Sequence, residues 1–298
     1  MYRAWSEPAP VQPLELRMPD PLHAPPRPRI DVLVRVFDRM ADLEVNLGLI
    51  RRLWTRHDCR VIVVSNGLAA GHRVPAAARA LAEVVLELDT NAGHVGGAAQ
   101  LLRAGLPLLD ASAACAVLIE ADNWLFSDAL IETYRLRMAR EGAVWASAEW
   151  VERHHSLAVD FAIADIAFLQ AHPQVFDFGR SAETHVCNTL RDLGARYLLL
   201  TECMPVHVPK SLRSLHDPYG GRLRSFTRAQ MVTHHLEDLA GGLAEKQARA
   251  NIVLGRREFD VPVPGGIGRE RRKLRLIEWL ARVAPRSRWI KCKNTKRD

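Results

Sequence analysis

The sequence of 298 residues predicts an α/β protein, with a mixed, mostly parallel sheet flanked by helices and a helical C-terminal extension. Short β-branched runs that resemble buried strands alternate with segments whose apolar residues recur at helical spacing, as in βαβ units. Polar residues follow several of these runs, at the strand ends where such sheets bind ligands. With 48% hydrophobic residues, the chain can also bury the core of one large domain.

The first half of the chain carries the clearest alternation. Strands are predicted, from their β-branched residues, over residues 30–37, 60–67 and 84–88. Helices are predicted over residues 41–57, 76–82 and 98–109, the last preceded by a glycine-rich loop at 91–97. Because the carboxyl ends of parallel strands meet at one edge of a sheet, the residues that follow them are expected to share one cleft. These residues are Asp38, Ser65, Asn66, Asn91, Gly93, His94 and Gly97.

The second half is less regular. Strands are predicted over residues 142–150 and 197–201. Helices are predicted over residues 160–169, 183–193 and 226–254, the last with a break at its Gly-Gly pair. Ser181 is a candidate N-cap for the second of these helices, and Gly194 is its expected stop.

Composition divides the chain into four segments. Residues 1–29 hold eight of the seventeen prolines and are predicted to form an extended arm. The α/β domain is expected over 30–215, a helical extension over 216–268 and a basic tail over 269–298. The tail carries a net charge of +9, whereas the other 268 residues sum to −2. This distribution argues against specific nucleic-acid binding by the folded body.

The sequence predicts a cytoplasmic location. No apolar stretch approaches the roughly 20 residues that span a bilayer. Proline and acidic residues interrupt the N-terminus, unlike a signal peptide. The five cysteines are scattered without a CxxC pair, which favours a reducing compartment.

The most informative motif is the apolar run that begins at residue 114 and stops at Glu120 and Asp122. On an extended chain, carboxylates two residues apart point to the same face, where their oxygens can share a divalent cation. Such a cation can neutralise a diphosphate. A solvated acidic turn with Asn123 as its turn residue explains the same residues equally well.

Taken in order, the motifs over roughly residues 30–210 resemble those of glycosyltransferases with the GT-A (Rossmann-like) fold, closest to the family-2-like group. The resemblance rests on the first strand and helix, the strand that ends in Ser65-Asn66-Gly67, the loop from Asn91 to Ala98, and the run Leu118-Ile-Glu-Ala-Asp-Asn-Trp-Leu125. It implies a nucleotide-sugar donor, bound Mn²⁺ or Mg²⁺, and transfer to a hydroxyl acceptor. Glu120 stands where the family usually has Asp, and Asn66 lies where an Asp is common.

The resemblance also implies roles for single residues. Asp122 would ligate the metal, with Glu120 near the ribose or supporting the metal shell, and His207 would complete that shell. Glu183 would be the general base of a single displacement with inversion, although a helix dipole alone also favours a carboxylate in a first turn. Asp38 and His94 would contact the nucleotide and a phosphate; helix capping and a solvated loop are the alternatives.

The basic tail has its own helical pattern. Leu276, Trp279, Leu280 and Val283 fall on one stripe, surrounded by lysine and arginine. Such a helix suits the surface of an anionic membrane, and it would equally suit packing of the stripe against the body.

The sequence as a whole predicts a hexosyltransferase-type enzyme whose acceptor is a glycan, a lipid-linked sugar or a natural product. A methyltransferase dependent on S-adenosylmethionine is an alternative, because the strand at 84–88 precedes a glycine-bearing loop. A nucleotidyltransferase is disfavoured by the lack of glycine after the first strand. A non-catalytic module that binds a sugar or partner on the same fold is the third alternative.

Overall fold

The computed structural model describes residues 26–149, 156–204, 223–233 and 241–283. Ten strands lie in these residues: β1 Arg29–Val36, β2 Asp58–Ser65, β3 Val84–Glu87, β4 Ala116–Glu120, β5 Trp124–Leu125, β6 Ala143–Glu149, β7 Leu157–Ala164, β8 Arg196–Leu199, β9 Ser225–Phe226 and β10 Met231–Val232. The same residues contain eight α-helices: α1 Met40–Leu53, α2 Ala76–Arg79, α3 His94–Gly105, α4 Ala129–Glu141, α5 Ile166–Ala171, α6 Ala182–Asp192, α7 Gly242–Leu254 and α8 Ile267–Val283.

Seven strands form one sheet in the order β3-β2-β1-β4-β7-β6-β8. Only β7 runs against its neighbours, so the predicted mixed, mostly parallel sheet is confirmed. One hydrophobic cluster packs α1, α4 and α7 on one face, and a second packs α3, α5 and α6 on the other. A small antiparallel sheet, β5-β10-β9, joins the turn after β4 to residues beyond 223.

The predicted helix over 160–169 is wrong. Its first half belongs to strand β7, and only Ile166–Ala171 is helical, with Asp165 accepting a hydrogen bond from the Phe168 N–H at 2.7 Å. Every residue of β7 is buried, because the strand lies inside the sheet with helices on both faces. Burial on both faces removes the polar–apolar alternation by which a strand is recognised.

The predicted helix over 226–254 is also wrong in its first part. Residues 225–226 and 231–232 are strands joined by a turn, and α7 begins at Gly242. Helix α3 begins at His94, four residues earlier than predicted, because Gly93 with φ of +85° ends the loop and the next two glycines are helical. Helix α2 ends at Arg79, short of the predicted residue 82.

Helix α6 matches its prediction closely. The Ser181 hydroxyl accepts a hydrogen bond from the Thr184 N–H at 3.4 Å, and Gly194 with φ of +64° follows the last turn. A serine cap and a left-handed glycine are the signals that start and stop helices. In the part of the chain that the structure describes, no helix has the length and apolar character to cross a membrane.

Candidate active site

A cleft of about 990 Å³ opens at the carboxyl ends of β1, β2 and β4. The N-terminal turns of α3 and α6 form its sides. Nine residues that the sequence singled out line it: Asp38, Asn66, Asn91, Gly93, His94, Gly97, Glu120, Asp122 and Glu183. Their convergence follows from the parallel sheet, whose strands end at the same edge.

Two other predicted residues are not in the lining. Ser65 is fully buried, and its hydroxyl accepts a hydrogen bond from the Gly67 N–H at 3.3 Å, so it shapes the turn after β2. His207 lies outside the described residues. Its predicted role at the metal therefore stays a prediction.

The first acid of the motif, Glu120, is bound by an arginine that the sequence analysis missed. Arg35 lies directly opposite Glu120 in the register of β1 and β4. Its Nη2 donates to Glu120 Oε1 at 2.6 Å and to the carbonyl of Val159 at 2.7 Å, with only 2% of the side chain exposed. The only local signal was an arginine inside a β-branched run, which is a costly place for a charge without a partner.

The turn that carries Asp122 is held by Asn46, which binds the backbone carbonyls of the turn. Asn46 of α1 donates from Nδ2 to the carbonyls of Glu120, Ala121 and Asn123, at 3.2, 3.1 and 2.9 Å. Asn46 is fully buried, and a buried amide normally spends its donors on such acceptors. These bonds fix the direction in which the turn presents the Asp122 carboxylate.

Lys246 of α7 also contacts this turn. Its ammonium donates to the carbonyl of Asp122 and, at 2.6 Å, to Oδ1 of Asp42, and it lies 4.3 Å from the centre of the Trp124 ring. Burial lowers the pKa of Lys246 and raises that of Asp42, while the contact between them opposes both shifts. No local pattern reveals this residue, because 124 positions separate it from Asp122.

Glu183 lies in the first turn of α6 and faces the cleft. Burial raises its pKa above the usual value of 4.5, and the nearby carboxylates Asp160 and Glu120 raise it further, while a hydrogen bond from its own backbone N–H and the charge of Arg35 oppose the shift. A carboxylate with a raised pKa in a cleft is suited to take up a proton. Asp160, which also lines the cleft, lies on β7 rather than on the helix that the sequence predicted.

The loop before α3 is organised by two asparagines. Asn66 Nδ2 donates to the Asn91 side-chain oxygen at 3.4 Å and to the Gly97 carbonyl at 3.2 Å, and Asn91 Oδ1 accepts from the Gly93 N–H at 2.9 Å. A Cβ at position 97 would lie only 2.6 Å from Asn91 Oδ1. Glycine at 97 therefore makes room for this asparagine, whereas glycine at 93 supplies a left-handed turn.

The carboxylates of the cleft fit a divalent cation whose other ligands come mainly from the phosphates of a bound molecule. Mg²⁺ and Mn²⁺ sites at phosphates commonly use one or two carboxylates, with phosphate oxygens and water completing the shell. Asp122 fits as such a carboxylate, while one oxygen of Glu120 is already bound to Arg35. Among the described residues, no three His, Cys, Asp or Glu side chains are grouped closely enough to hold a metal by themselves.

No protein-family model matches the chain, and no curated protein matches it in sequence. Solved structures similar to it include glycosyltransferases. A mannosyltransferase from Pyrobaculum calidifontis, in complex with GDP-Man and Mn²⁺, is 17% identical over 88% of this chain and 78% of its own, with a TM-score of 0.49. TarS of S. aureus is 12% identical over 85% and 71%, with a TM-score of 0.44.

A third similar structure is glucosyl-3-phosphoglycerate synthase from Mycobacterium tuberculosis, in complex with Mn²⁺, UDP and phosphoglyceric acid. It is 14% identical over 58% of this chain and 68% of its own, with a TM-score of 0.42. Identities of 12–17% with TM-scores below 0.5 leave the function to be argued from the residues of the cleft.

Proposed function

We propose that the protein is a glycosyltransferase that moves a sugar from a nucleotide-sugar donor to a hydroxyl acceptor with the help of Mn²⁺ or Mg²⁺. The charge of the cleft carries this proposal. Five carboxylates line it (Asp38, Glu120, Asp122, Asp160 and Glu183) against three arginines. A nucleoside diphosphate would be repelled by this excess of negative charge unless a divalent cation entered with it.

The lining residues suggest how the donor is held. Asp122 would ligate the cation, which neutralises the charge that develops on the leaving diphosphate. The Arg35–Glu120 pair would hold the ribose or the donor sugar, with backbone N–H groups at the start of α3 facing the phosphates. Asp38, at the end of β1, would bind the base or the ribose.

Glu183 would act as the general base. It would take the proton from the acceptor hydroxyl as that oxygen bonds to the anomeric carbon and the bond to the diphosphate breaks. A single displacement of this kind inverts the configuration of the sugar. The raised pKa of Glu183, caused first by burial, supports the role because the carboxylate then holds the proton more firmly.

The acceptor and the location are further parts of the proposal. A glycan, a lipid-linked sugar or a small natural product would each offer the hydroxyl that Glu183 needs. We place the enzyme in the cytoplasm, with contact to an anionic membrane surface through residues 269–298. A hexosyl donor is the class that we would test first.

A thermal-shift panel tests the proposal, since a ligand that binds the folded state raises the melting temperature. The panel contains UDP, GDP, dTDP, CMP and S-adenosylhomocysteine, each with and without Mn²⁺. We expect one nucleotide to give a metal-dependent shift that Asp122→Asn abolishes. Asp177→Asn, the same change at an exposed aspartate outside the cleft lining, should leave that shift intact.

Other outcomes contradict the proposal in distinct ways. A shift only with S-adenosylhomocysteine would identify a methyltransferase. A rise in melting temperature with a nucleotide in the absence of metal would contradict the metal role of Asp122. No shift in the whole panel would favour a binding module without catalysis.

A further inference from the structure

Helix α8 meets the body with one face. Leu274 and Ile277 are buried in the core on this face, together with both acidic residues of the helix, Glu270 and Glu278. The Glu278 carboxylate accepts from the N–H and the hydroxyl of Thr227, both at 2.5 Å. The inner face of α8 is therefore buried against the body.

The opposite face of α8 is apolar and exposed. Leu276 is 48% exposed, Trp279 51% and Val283 59%. At 3.6 residues per turn these three side chains lie within about 60° of one another, roughly opposite the buried face. These three side chains do not pack on the body, whereas Leu280, the fourth residue of the predicted stripe, is half-buried; packing of the whole stripe against the body was one of the two expectations from the sequence. Three large apolar side chains side by side on a surface mark a contact region rather than chance exposure.

The exposed charged residues of α8 itself are basic. Five exposed residues of α8 are lysine or arginine: Arg269, Arg272, Lys273, Arg275 and Arg282. Both acids of the helix are buried, and Glu270 pairs with Lys273 at 3.1 Å, so the exposed charged residues in the described part of α8 are all basic. Long basic side chains that flank a tryptophan and leucines can hold their charges at lipid phosphates while the apolar centre enters the acyl boundary.

We propose that the exposed face of α8 binds the surface of an anionic lipid membrane, with Leu276, Trp279 and Val283 entering the lipid and the surrounding arginines contacting headgroups. A nucleic acid would satisfy the charges but would leave the apolar centre without a partner. A symmetric pair of chains would satisfy the apolar centre, but it would place the two basic rims against each other. This inference rests on the membrane contact included in the proposed function and names its surface, but its outcome leaves sugar transfer untouched because vesicle binding is measured without activity.

The test is cosedimentation of the full chain with vesicles of phosphatidylcholine alone or mixed with phosphatidylglycerol. We expect binding only to the anionic vesicles, with loss at high salt. The double variant Leu276→Ser and Trp279→Ser should lower the partition coefficient about tenfold or more, because each buried methylene contributes about fourfold. Arg275→Gln should lower it about fivefold.

Helix α4 offers matched controls. Leu136 is 52% exposed there, and Arg140, whose side chain is 72% exposed, is paired with Glu141 at 2.9 Å. Leu136→Ser and Arg140→Gln should leave vesicle binding unchanged, and all the variants should keep the wild-type melting temperature because the altered side chains are exposed.

Three results would overturn the proposal. The first is equal binding to neutral and anionic vesicles. The second is full vesicle binding by the Leu276 and Trp279 double variant. The third is no vesicle binding together with a dimer that this variant abolishes, which would assign the face to a second copy of the chain.

Discussion

Replacement of Lys246 by methionine tests whether the acidic turn is positioned from the distant helix α7. Methionine keeps the length of the side chain but removes the ammonium that binds Asp42 and the carbonyl of Asp122. Asp42 would then be a buried carboxylate without its cation. Breaking a buried pair by removing one partner costs about 3–5 kcal/mol of folding free energy. We expect Lys246→Met to lose stability in this range.

Loss of stability alone would not demonstrate positioning. A second change, Asp42→Leu, removes the buried carboxylate as well, and replacement of both members of a buried pair is often neutral or stabilising. The double variant should therefore regain most of the lost stability. It should not regain tight binding of the nucleotide with Mn²⁺, because the Asp122 carbonyl still lacks its donor. Loss of such an orienting partner lowers metal affinity by about 10–100-fold.

The assay pairs urea unfolding with titration of the nucleotide found in the thermal-shift panel, in the presence of Mn²⁺ and well below the melting temperature. Arg60→Met is the matched control. It breaks the 2.9 Å pair with the fully buried Asp31, which lies at the opposite ends of β1 and β2 from the cleft. It should lower stability without changing the metal-dependent affinity. Wild-type affinity in the Lys246 double variant would refute the reasoning.

Three further outcomes are expected. Glu183→Gln should abolish transfer but keep nucleotide binding and raise the melting temperature at neutral pH. Because burial raises the folded-state pKa, the charged carboxylate costs stability above that pKa, so the gain should vanish below pH 4.5 in a melting series. Gly97→Ala should weaken nucleotide affinity in the same titration, since its Cβ would lie 2.6 Å from a side-chain oxygen, whereas Gly48→Ala, with nothing within 4 Å, should not. Glu120→Asp should reduce stability and transfer, measured by unfolding and turnover, because the shortened carboxylate withdraws from Arg35.

The elements that sequence analysis found are those that local signals define. Helix α6 carries its own cap and stop in Ser181 and Gly194, and the first strands are short β-branched runs between helical patterns. Strand β7 carries no such signal, because burial on both faces leaves a run that is apolar apart from Asp160 and that fits a helix equally well. Strand β10 pairs with β9 and also with β5, which lies about 100 residues earlier, and this distant pairing leaves no local signal in the sequence.

The candidate site likewise contains residues that the sequence could group and contact partners that it could not reveal. The residues after β1, β2 and β4 could be grouped from the sequence because parallel strands place their ends together. The partners of those residues could not. Arg35 faces Glu120 only through the register of two strands, and Lys246 reaches Asp122 from a helix near the other end of the chain. Contacts of this kind depend on tertiary packing, which leaves no periodic trace in the sequence.

Glutamate rather than aspartate at position 120 has a physical explanation in this register. Arg35 is buried opposite the first acid of the motif, and a buried guanidinium requires a carboxylate within reach. Glutamate extends one methylene further than aspartate and meets Arg35 at 2.6 Å. This contact commits one oxygen of Glu120 to the protein and leaves Asp122, held through its carbonyl by Lys246, as the acid best placed to receive a cation. Under the proposed function, the Arg35–Glu120 ion pair would occupy one oxygen of Glu120, and the cleft would depend on Asp122 and the donor phosphates to retain a cation.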